Sequence, residues 1–147
     1  MAISQSTSDS YDSGAEEAPL LLEVSDLHVE FHTHHGTVHA VNGVSYELRQ
    51  GETLGTLGES GSGKSVGVQA VMGLVQSPPG YVSGQYVRYR GVDLLTAPKS
   101  TLQNIRGQGI SMVFQDALTS LNPGLSVGFQ IGEMYRIRRQ VSRKQAR

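Results

Sequence analysis

The chain has 147 residues, which is long enough for one domain with its own hydrophobic core. Its formal charge of −1 argues neither for nor against nucleic acid or a membrane surface as a partner, and the absence of cysteine excludes disulfides, thiolate metal sites and cysteine nucleophiles. No apolar run approaches the roughly 20 residues of a membrane span, and the N-terminus lacks the order of a secretory signal. We therefore expect a soluble chain that reaches a membrane only through a partner.

The first part of the chain is predicted to be a tail followed by strands. Residues 1–19 are rich in Ser, Asp, Glu and Ala, which predicts a disordered tail. Apolar alternation over residues 22–31 indicates a strand with an irregularity at Ser25-Asp26, and a polar, His-rich loop follows over residues 32–37. A second pair of strands, over residues 38–40 and 44–48, is broken at Asn42-Gly43.

Residues 58–65 read G-x-x-x-x-G-K-S, the phosphate-binding loop of nucleotide hydrolases. The glycines let the backbone curl round an anion, Lys64 supplies positive charge for the β- and γ-phosphates, and the Ser65 hydroxyl can ligate the Mg²⁺ that accompanies ATP. The motif needs a strand before it and a helix after it, and residues 53–57 and 66–74 have the apolar patterns of both. We therefore expect a site for ATP and Mg²⁺ at Gly58, Glu59, Ser60, Gly61, Ser62, Gly63, Lys64 and Ser65.

The remaining elements are predicted from turn and capping residues. Ser77-Pro78-Pro79-Gly80 stops the helix, residues 85–90 form a strand, and Arg90-Gly91 is a turn. Ser100 caps a short helix that reaches residue 105.

The C-terminal third is predicted to hold one strand and one helix. Residues 110–114 form an apolar strand that ends at Gln115, residues 122–124 form a loop, and Ser126 caps a helix that reaches about residue 140. Ser142 and Gln145 have the spacing of a capping box. Because only two residues follow, the pattern suggests a helix that begins here without its body, as in a chain cut short.

Five motifs in chain order resemble the N-terminal part of an ABC-transporter ATPase. They are Ala40-Val41-Asn42-Gly43-Val44-Ser45, Gly51-Glu52-Thr53-Leu54-Gly55, the loop at 58–65, Met112-Val113-Phe114-Gln115-Asp116, and Thr119-Ser120-Leu121-Asn122-Pro123. The last is similar to the oligopeptide/dipeptide importer subfamily. The resemblance covers about residues 20–147 and implies a partial nucleotide-binding domain of the α/β class. That domain would be a P-loop NTPase core with an N-terminal antiparallel β subdomain, incomplete at its C-terminal end.

The resemblance also implies residue roles. Gln115 matches the glutamine that reaches Mg²⁺ and the attacking water, although Asp116-Ala117 departs from the usual Asp-Pro after it. Residues 117–134 match the region that meets a transporter's coupling helix. The family stacks an aromatic ring on adenine, and Phe31 or His35 would supply it, the alternative for Phe31 being a core position at a strand end.

Four elements that hydrolysis in this family needs have no match in the sequence. They are the Asp that binds Mg²⁺ after four apolar residues, the adjacent Glu that orients water, the Leu-Ser-Gly-Gly-Gln signature, and the switch His. The expectation is weak or no binding of Mg-ATP and no hydrolysis by this chain alone, with no complete catalytic set, and an open edge where later strands of a parallel sheet would pair.

The resemblance implies the ATP-binding subunit of a transporter that imports peptides. Its partners would be transmembrane permease subunits and a second ATP-binding subunit, the same or different, with an extracytoplasmic solute-binding protein acting indirectly. Its place would be peripheral, at the cytoplasmic face of the cell membrane. The alternative is a remnant without hydrolysis, or an interaction module.

Three other interpretations of the sequence have less support than the ABC-transporter resemblance. His32, His34, His35 and His39 are crowded enough to suggest a transition-metal site, but without carboxylate or thiolate company we favour a solvated loop. A P-loop kinase or GTPase is disfavoured because no guanine-reading Asn/Thr-Lys-x-Asp motif occurs. The basic C-terminal end lacks an aromatic stacking platform, so we expect no nucleic-acid partner.

Overall fold

The computed structural model describes residues 2–4, 18–115, 121–139, 141–142 and 144–145, with the backbone alone for residues 2–4 and without the side chain of residue 138. The chain divides into two compact units, Met1–Ile110 and Ser111–Arg147. The elements of the first unit are β1 (Ala2–Ser4), β2 (Leu20–Thr33), β3 (Gly36–Arg49), β4 (Gly55–Leu57), α1 (Lys64–Val71), β5 (Gly80–Ser83), β6 (Tyr86–Tyr89), β7 (Val92–Asp93) and α2 (Lys99–Ile105). The second unit has α3 (Val127–Arg139).

A five-stranded antiparallel sheet forms most of the first unit among the described residues. Its order is β3-β2-β6-β7, and β5 also pairs with β2. With 14 residues, β2 is long enough to pair β6 along residues 22–25 and β5 along residues 28–31. This sheet agrees with the predicted antiparallel β subdomain. A parallel core sheet is not seen in the part of the chain that the structure describes.

The hairpin of β2 and β3 differs from its prediction in two places. The predicted break at Asn42-Gly43 is wrong, because β3 runs through it. The register shifts between the pairs Leu27↔Val44 and Val29↔Val41, so one extra residue of β3 forms a bulge there. The predicted His-rich loop is shorter, since the pair Thr33↔Gly36 leaves only residues 34–35 in the turn.

The predicted irregularity at Ser25-Asp26 is confirmed. Asp26 has a positive φ of 53°, and the register shifts between Val24 and Leu27. The Asp26 backbone N–H donates to the Ser45 hydroxyl at 2.8 Å, which satisfies a donor that the ladder leaves out there.

The hydrophobic core lies between the sheet and α1. Its buried side chains come from β2, β3, β6, α1 and the segment after β7: Val24, Leu27, Val29, Val41, Val87, Tyr89, Ala70, Val71 and Leu94. Phe31 and Tyr46 are partly buried against this cluster, and burial raises the pKa of the Tyr46 hydroxyl. Phe31 thus has the core position that the sequence left as its alternative.

The helix α1 ends earlier than residue 74, where the prediction placed its end. The Gly73 N–H donates to the Ala70 carbonyl at 2.9 Å, and the Leu74 N–H donates to the Gln69 carbonyl at 2.8 Å. With Gly73 at a φ of 63°, this is a Schellman cap, in which glycine adopts the left-handed conformation at no steric cost.

Arg106 fastens this end of α1 to the segment after α2. Its Nε donates to the Met72 carbonyl at 2.8 Å and its Nη2 to the Gly73 carbonyl at 2.6 Å. We expect Arg106→Met to lower the free energy of unfolding by about 1–3 kcal/mol, because it removes two charge-assisted hydrogen bonds from the helix end and keeps the aliphatic stem.

Urea unfolding followed by circular dichroism measures this effect. Lys99→Met, at the exposed start of α2, is the matched control and should shift stability by less than about 0.5 kcal/mol. Equal midpoints for the two variants would contradict the role given to Arg106.

Two further predictions in the first unit have opposite outcomes. The strand and turn predicted over residues 85–91 are confirmed by β6, β7 and the turn between them. The prediction that Ser100 caps α2 is wrong: the helix begins at Lys99 with Pro98 at its N-cap and no side-chain cap. Proline's fixed φ already suits the start of a helix.

The β1 strand lies within the segment predicted as a disordered tail. It pairs antiparallel with β4, Ile3 lying opposite Thr56, so these three residues differ from the prediction. Of the other tail residues, 18 and 19 have no regular secondary structure, and residues 1 and 5–17 lie outside the described residues.

The strand predicted over residues 110–114, from the end of the first unit into the second, is wrong. Ile110 makes only an isolated bridge to Arg106, and residues 111–114 have no regular structure. Val113 is 93% exposed. A strand needs a neighbour to satisfy its backbone groups, and no described strand pairs with these residues.

The helix predicted after Ser126 is confirmed. The Phe129 N–H donates to the Ser126 hydroxyl at 3.3 Å, which is the expected N-cap contact, and α3 ends at Arg139. The Ser142 N–H donates to Gln145 Oε1 at 3.1 Å, as in a capping box. No helix in the described ranges is long and apolar enough to cross a membrane.

Candidate functional site

The G-x-x-x-x-G-K-S motif forms the connection between β4 and α1. β4 ends at Leu57, and α1 begins at Lys64 with Gly63 as its N-cap residue. The strand, loop and helix therefore follow one another in the order that the motif needs. The structure brings residues 58–65 together in one turn of chain within the first unit.

Glycine is required at Gly63 for two reasons. Its φ of 86° is in the left-handed region, where a side chain is strained. A Cβ built there would also collide with the carbonyl oxygen of Ala40 in β3. The loop therefore rests directly against the β3 backbone.

Gly58, the first glycine of the motif, has less room than a larger residue needs. A Cβ built there would lie 2.6 Å from the Ser62 hydroxyl oxygen and 3.7 Å from the Lys64 Nζ. The space beside Gly58 is thus taken by the polar atoms of the loop itself.

Lys64 folds back over the loop. Its Nζ donates to the carbonyls of Gly58 and Glu59, each at 2.6 Å, and contacts the Ser62 hydroxyl at 3.2 Å. Three neutral oxygens surround the ammonium group here, and none of them carries a negative charge. The positive charge is therefore held at the mouth of the loop with no carboxylate partner in these contacts.

The N-terminus of α1 is free of competing groups. Gly63 makes no side-chain cap, and the first turn has no acidic residue. The Gly67 N–H donates to the Gly63 carbonyl at 2.8 Å, so the N–H groups before it are not used in the helix. Ser65, in this first turn, is exposed.

These features fit the phosphates of a nucleotide. An anion in the loop would meet free helical N–H groups, the positive end of the α1 dipole and the Lys64 ammonium. The Ser65 hydroxyl is the type of ligand that binds the metal ion accompanying such phosphates, and Mg²⁺ would neutralise part of the phosphate charge.

Comparison with known protein families agrees with this geometry. The ABC transporter family model matches residues 41–147, which is more than half of the chain. The chain belongs to the ABC transporter family.

Three similar proteins have names that describe peptide transport. The chain is 46% identical over 127 residues to the oligopeptide transport ATP-binding protein OppD of Bacillus subtilis. This alignment covers 86% of this chain and 36% of that protein. It is 45% identical over 127 residues to the dipeptide transport ATP-binding protein DppD of the same organism, covering 86% and 38%. Identity to OppD of Salmonella typhimurium is 43% over 141 residues, covering 96% and 42%. The chain therefore spans 36–42% of the length of these relatives.

Gln115, the other residue that the ABC resemblance singles out, belongs to the second unit. It lies at a bend and is exposed. Its proposed contact with Mg²⁺ stays a prediction. Of the predicted coupling-helix region, residues 117–120 lie outside the described residues.

The second unit presents apolar and basic side chains to solvent. Ile131, Met134, Tyr135 and Ile137 of α3 are exposed. Among the basic residues of the C-terminal end, Arg139 and Lys144 are exposed and Arg136 is half-buried, while Arg143 and Arg147 lie outside the described residues.

Three of the five histidines of the β2–β3 hairpin contact carboxylates. Glu30 contacts both His32 Nε2, at 3.5 Å, and His39 Nδ1, at 3.0 Å, and Asp26 contacts His28 Nε2 at 3.0 Å. Asp26 and Glu30 each precede a contacting histidine of β2 by two residues, a spacing that is visible in the sequence, whereas the contact of Glu30 with His39 depends on the pairing of β2 with β3. Within the described residues, no group of three or more His, Asp or Glu could hold a metal ion.

A cavity beside the loop is a feature that the sequence did not predict. It is lined by residues 39–45 of β3 and by Ser62. Neither Phe31 nor His35, the two predicted adenine-stacking residues, is among its lining residues. The Ala40–Ser45 motif that carried the resemblance was the available signal, because it supplies all but two of the lining residues.

Proposed function

We propose that this chain is the phosphate-binding part of the ATP-binding subunit of an ABC peptide importer. The observation that carries the proposal is Lys64, whose ammonium is held by three neutral oxygens at the mouth of a glycine loop. The names of the relatives, OppD and DppD, describe oligopeptide and dipeptide transport and support a peptide as the cargo.

Each site residue has a proposed role. Residues 58–64 bind the ATP phosphates, and Ser65 and Gln115 are ligands of the Mg²⁺ that accompanies them. Binding and hydrolysis of ATP in the intact protein would energise transport.

The proposed partners are those that an ABC peptide importer needs. They are transmembrane permease subunits and a second ATP-binding subunit, with a solute-binding protein acting indirectly. The subunit would be peripheral, at the cytoplasmic face of the membrane. The coupling contact would use residues 117–134, which include exposed apolar side chains of α3 such as Ile131 and Met134.

Phosphoryl transfer needs positioned metal, water and charge. The sequence has no Asp-Glu pair after four apolar residues, and all five histidines precede the loop. We therefore propose that the chain by itself binds ATP weakly and does not turn it over. An interaction module without nucleotide binding is the second candidate, supported by the exposed apolar residues of α3.

The test is equilibrium binding of Mg-ATP to the unsubstituted chain and to Lys64→Ala. We expect saturable, weak binding that falls roughly 10- to 100-fold in the variant, because charge-assisted contacts are worth about 1.5–3 kcal/mol each. Lys99→Ala, an exposed lysine at the start of α2, should leave the affinity unchanged.

Three results would count against the proposal. Binding that ignores Lys64→Ala, or no binding by a folded chain, would favour the interaction module. A steady ATPase rate that Lys64→Ala removes would contradict the absence of turnover.

A further inference from the structure

The strand that leads into the phosphate-binding loop, β4, pairs with β1 alone among the strands that the structure describes. The two strands form an antiparallel sheet of their own, separate from the five-stranded sheet. The Cα partners are Ala2↔Leu57, Ile3↔Thr56 and Ser4↔Gly55. Because the backbone N–H and C=O groups of a strand need partners, the described ladder of β4 depends on residues near the start of the chain.

This pairing reaches the residue directly before the loop. Leu57 is the last residue of β4 and lies opposite Ala2, and Gly58 is the first residue of the loop. The Gly58 carbonyl accepts a hydrogen bond from the Lys64 Nζ at 2.6 Å. A change in the direction of β4 would therefore move the Gly58 carbonyl and one of the contacts that hold the Lys64 ammonium.

The two ends of the loop differ in their support. At the far end, Gly63 rests against the Ala40 carbonyl, and α1 buries Ala70 and Val71 in the core. At the near end, β4 contributes no side chain to the described core, and Leu57 is 65% exposed. The start of the loop is thus held by backbone pairing with β1 and not by packing.

The sheet of β1 and β4 is small enough to open without the rest of the first unit. Each strand has three residues, and an isolated two-stranded sheet is marginally stable in water. β1 belongs neither to the five-stranded sheet nor to the described core, so both stay folded when it leaves β4. The paired fraction therefore responds to anything that favours the strand conformation of β4.

We propose that β1 is a displaceable strand that positions the phosphate-binding loop, and that its pairing with β4 and the binding of nucleotide phosphates strengthen each other. This inference rests on the proposed nucleotide binding. If phosphates bind only when β4 is paired, the apparent affinity falls in proportion to the paired fraction. By reciprocity, bound phosphates raise the affinity of β1 for β4 by the same factor.

The experiment compares the double variant Ile3→Pro/Ser4→Pro with its matched control, Ile3→Ala/Ser4→Ala. In an antiparallel ladder, one of two consecutive residues directs both its N–H and its C=O at the partner strand. Proline has no N–H. The proline variant therefore loses a donor to β4 whichever of the two residues points there, whereas the alanine variant keeps every backbone donor.

Amide hydrogen exchange and Mg-ATP binding are measured on both variants and on the unsubstituted chain. We expect the proline variant to lower protection of the slowest-exchanging amide of residues 55–57 at least about threefold, and to weaken Mg-ATP binding about two- to tenfold. The alanine variant should stay within about twofold in both. Saturating Mg-ATP should raise this protection in the unsubstituted chain, an effect that strand pairing without a link to the loop would not produce.

Several outcomes would overturn the inference and leave the nucleotide site standing. These are equal effects of the two variants, lower protection of β4 without weaker Mg-ATP binding, or protection that Mg-ATP does not change. A dimer that the proline variant converts to a monomer would place β1 on a second copy and overturn the pairing within one chain. If the folded, unsubstituted chain does not bind Mg-ATP, the proposed function fails and the inference fails with it.

Discussion

Replacing Gly63 by alanine is expected to destroy the phosphate-binding loop. Gly63 has a φ of 86°, where a Cβ costs about 1–2 kcal/mol, and its Cβ would collide with the Ala40 carbonyl. A backbone oxygen cannot rotate away as the end of a side chain can, so either the loop or β3 must move. Because Lys64 follows directly, we expect ATP affinity to fall at least about tenfold.

Gly61→Ala is the control that separates the two causes. Gly61 also has a positive φ, 80°, but a Cβ built there meets nothing within 4 Å. We expect this variant to lose only about 1–2 kcal/mol of stability and to keep ATP affinity within a fewfold.

The measurement is ATP binding and urea unfolding of both variants side by side. If Gly61→Ala and Gly63→Ala prove alike in both assays, the contact between the loop and β3 has no importance. A large effect of Gly63→Ala on ATP affinity alone would place the displacement in the loop and leave the sheet intact.

The local parts of the fold were the parts that the sequence could predict. The turn at Arg90-Gly91 and the cap at Ser126 each depend on neighbours within a few residues. The strand predicted over residues 110–114 failed for the opposite reason. Its apolar pattern is real, but a strand exists only with a partner, and pairing is a property of distant residues.

Pairing across the chain also explains the missed β1. Its composition gives no sign of order, and only the contact with β4 makes it a strand. A short strand that adds to an open edge satisfies backbone groups whatever its side chains are. Propensity alone therefore has no means of detecting it.

The candidate site also has one part that the sequence predicted and another that it did not. The loop could be predicted because a contiguous motif encodes a backbone shape. The cavity could not, because it needs β3 to pass beside a loop that lies about twenty residues further along the chain. The Glu30–His39 pair is likewise visible only once the register of β2 and β3 is known.

Leu27→Ala is expected to be the most destabilising core substitution of β2. The Leu27 side chain is 1% exposed, within the cluster that packs between the sheet and α1. Removing a buried leucine costs about 2–5 kcal/mol, through lost burial and the cavity left behind. Because a whole domain has only about 5–15 kcal/mol of stability, the midpoint of urea unfolding should fall sharply.

Two further variants keep this prediction testable even if Leu27→Ala does not fold. Leu27→Met conserves volume and should cost less than about 1.5 kcal/mol. Val38→Ala removes a side chain of the same hairpin that is 55% exposed, and should cost less than about 1 kcal/mol. Equal losses for Leu27→Met and Val38→Ala, with a small loss for Leu27→Ala, would mean that the core lies elsewhere.

Since Leu27 does not line the cavity or form part of the loop, ATP affinity measured on the folded fraction should stay constant in all three variants. A direct effect on affinity would mean that α1, which packs on this core, transmits the change to the loop at its N-terminus.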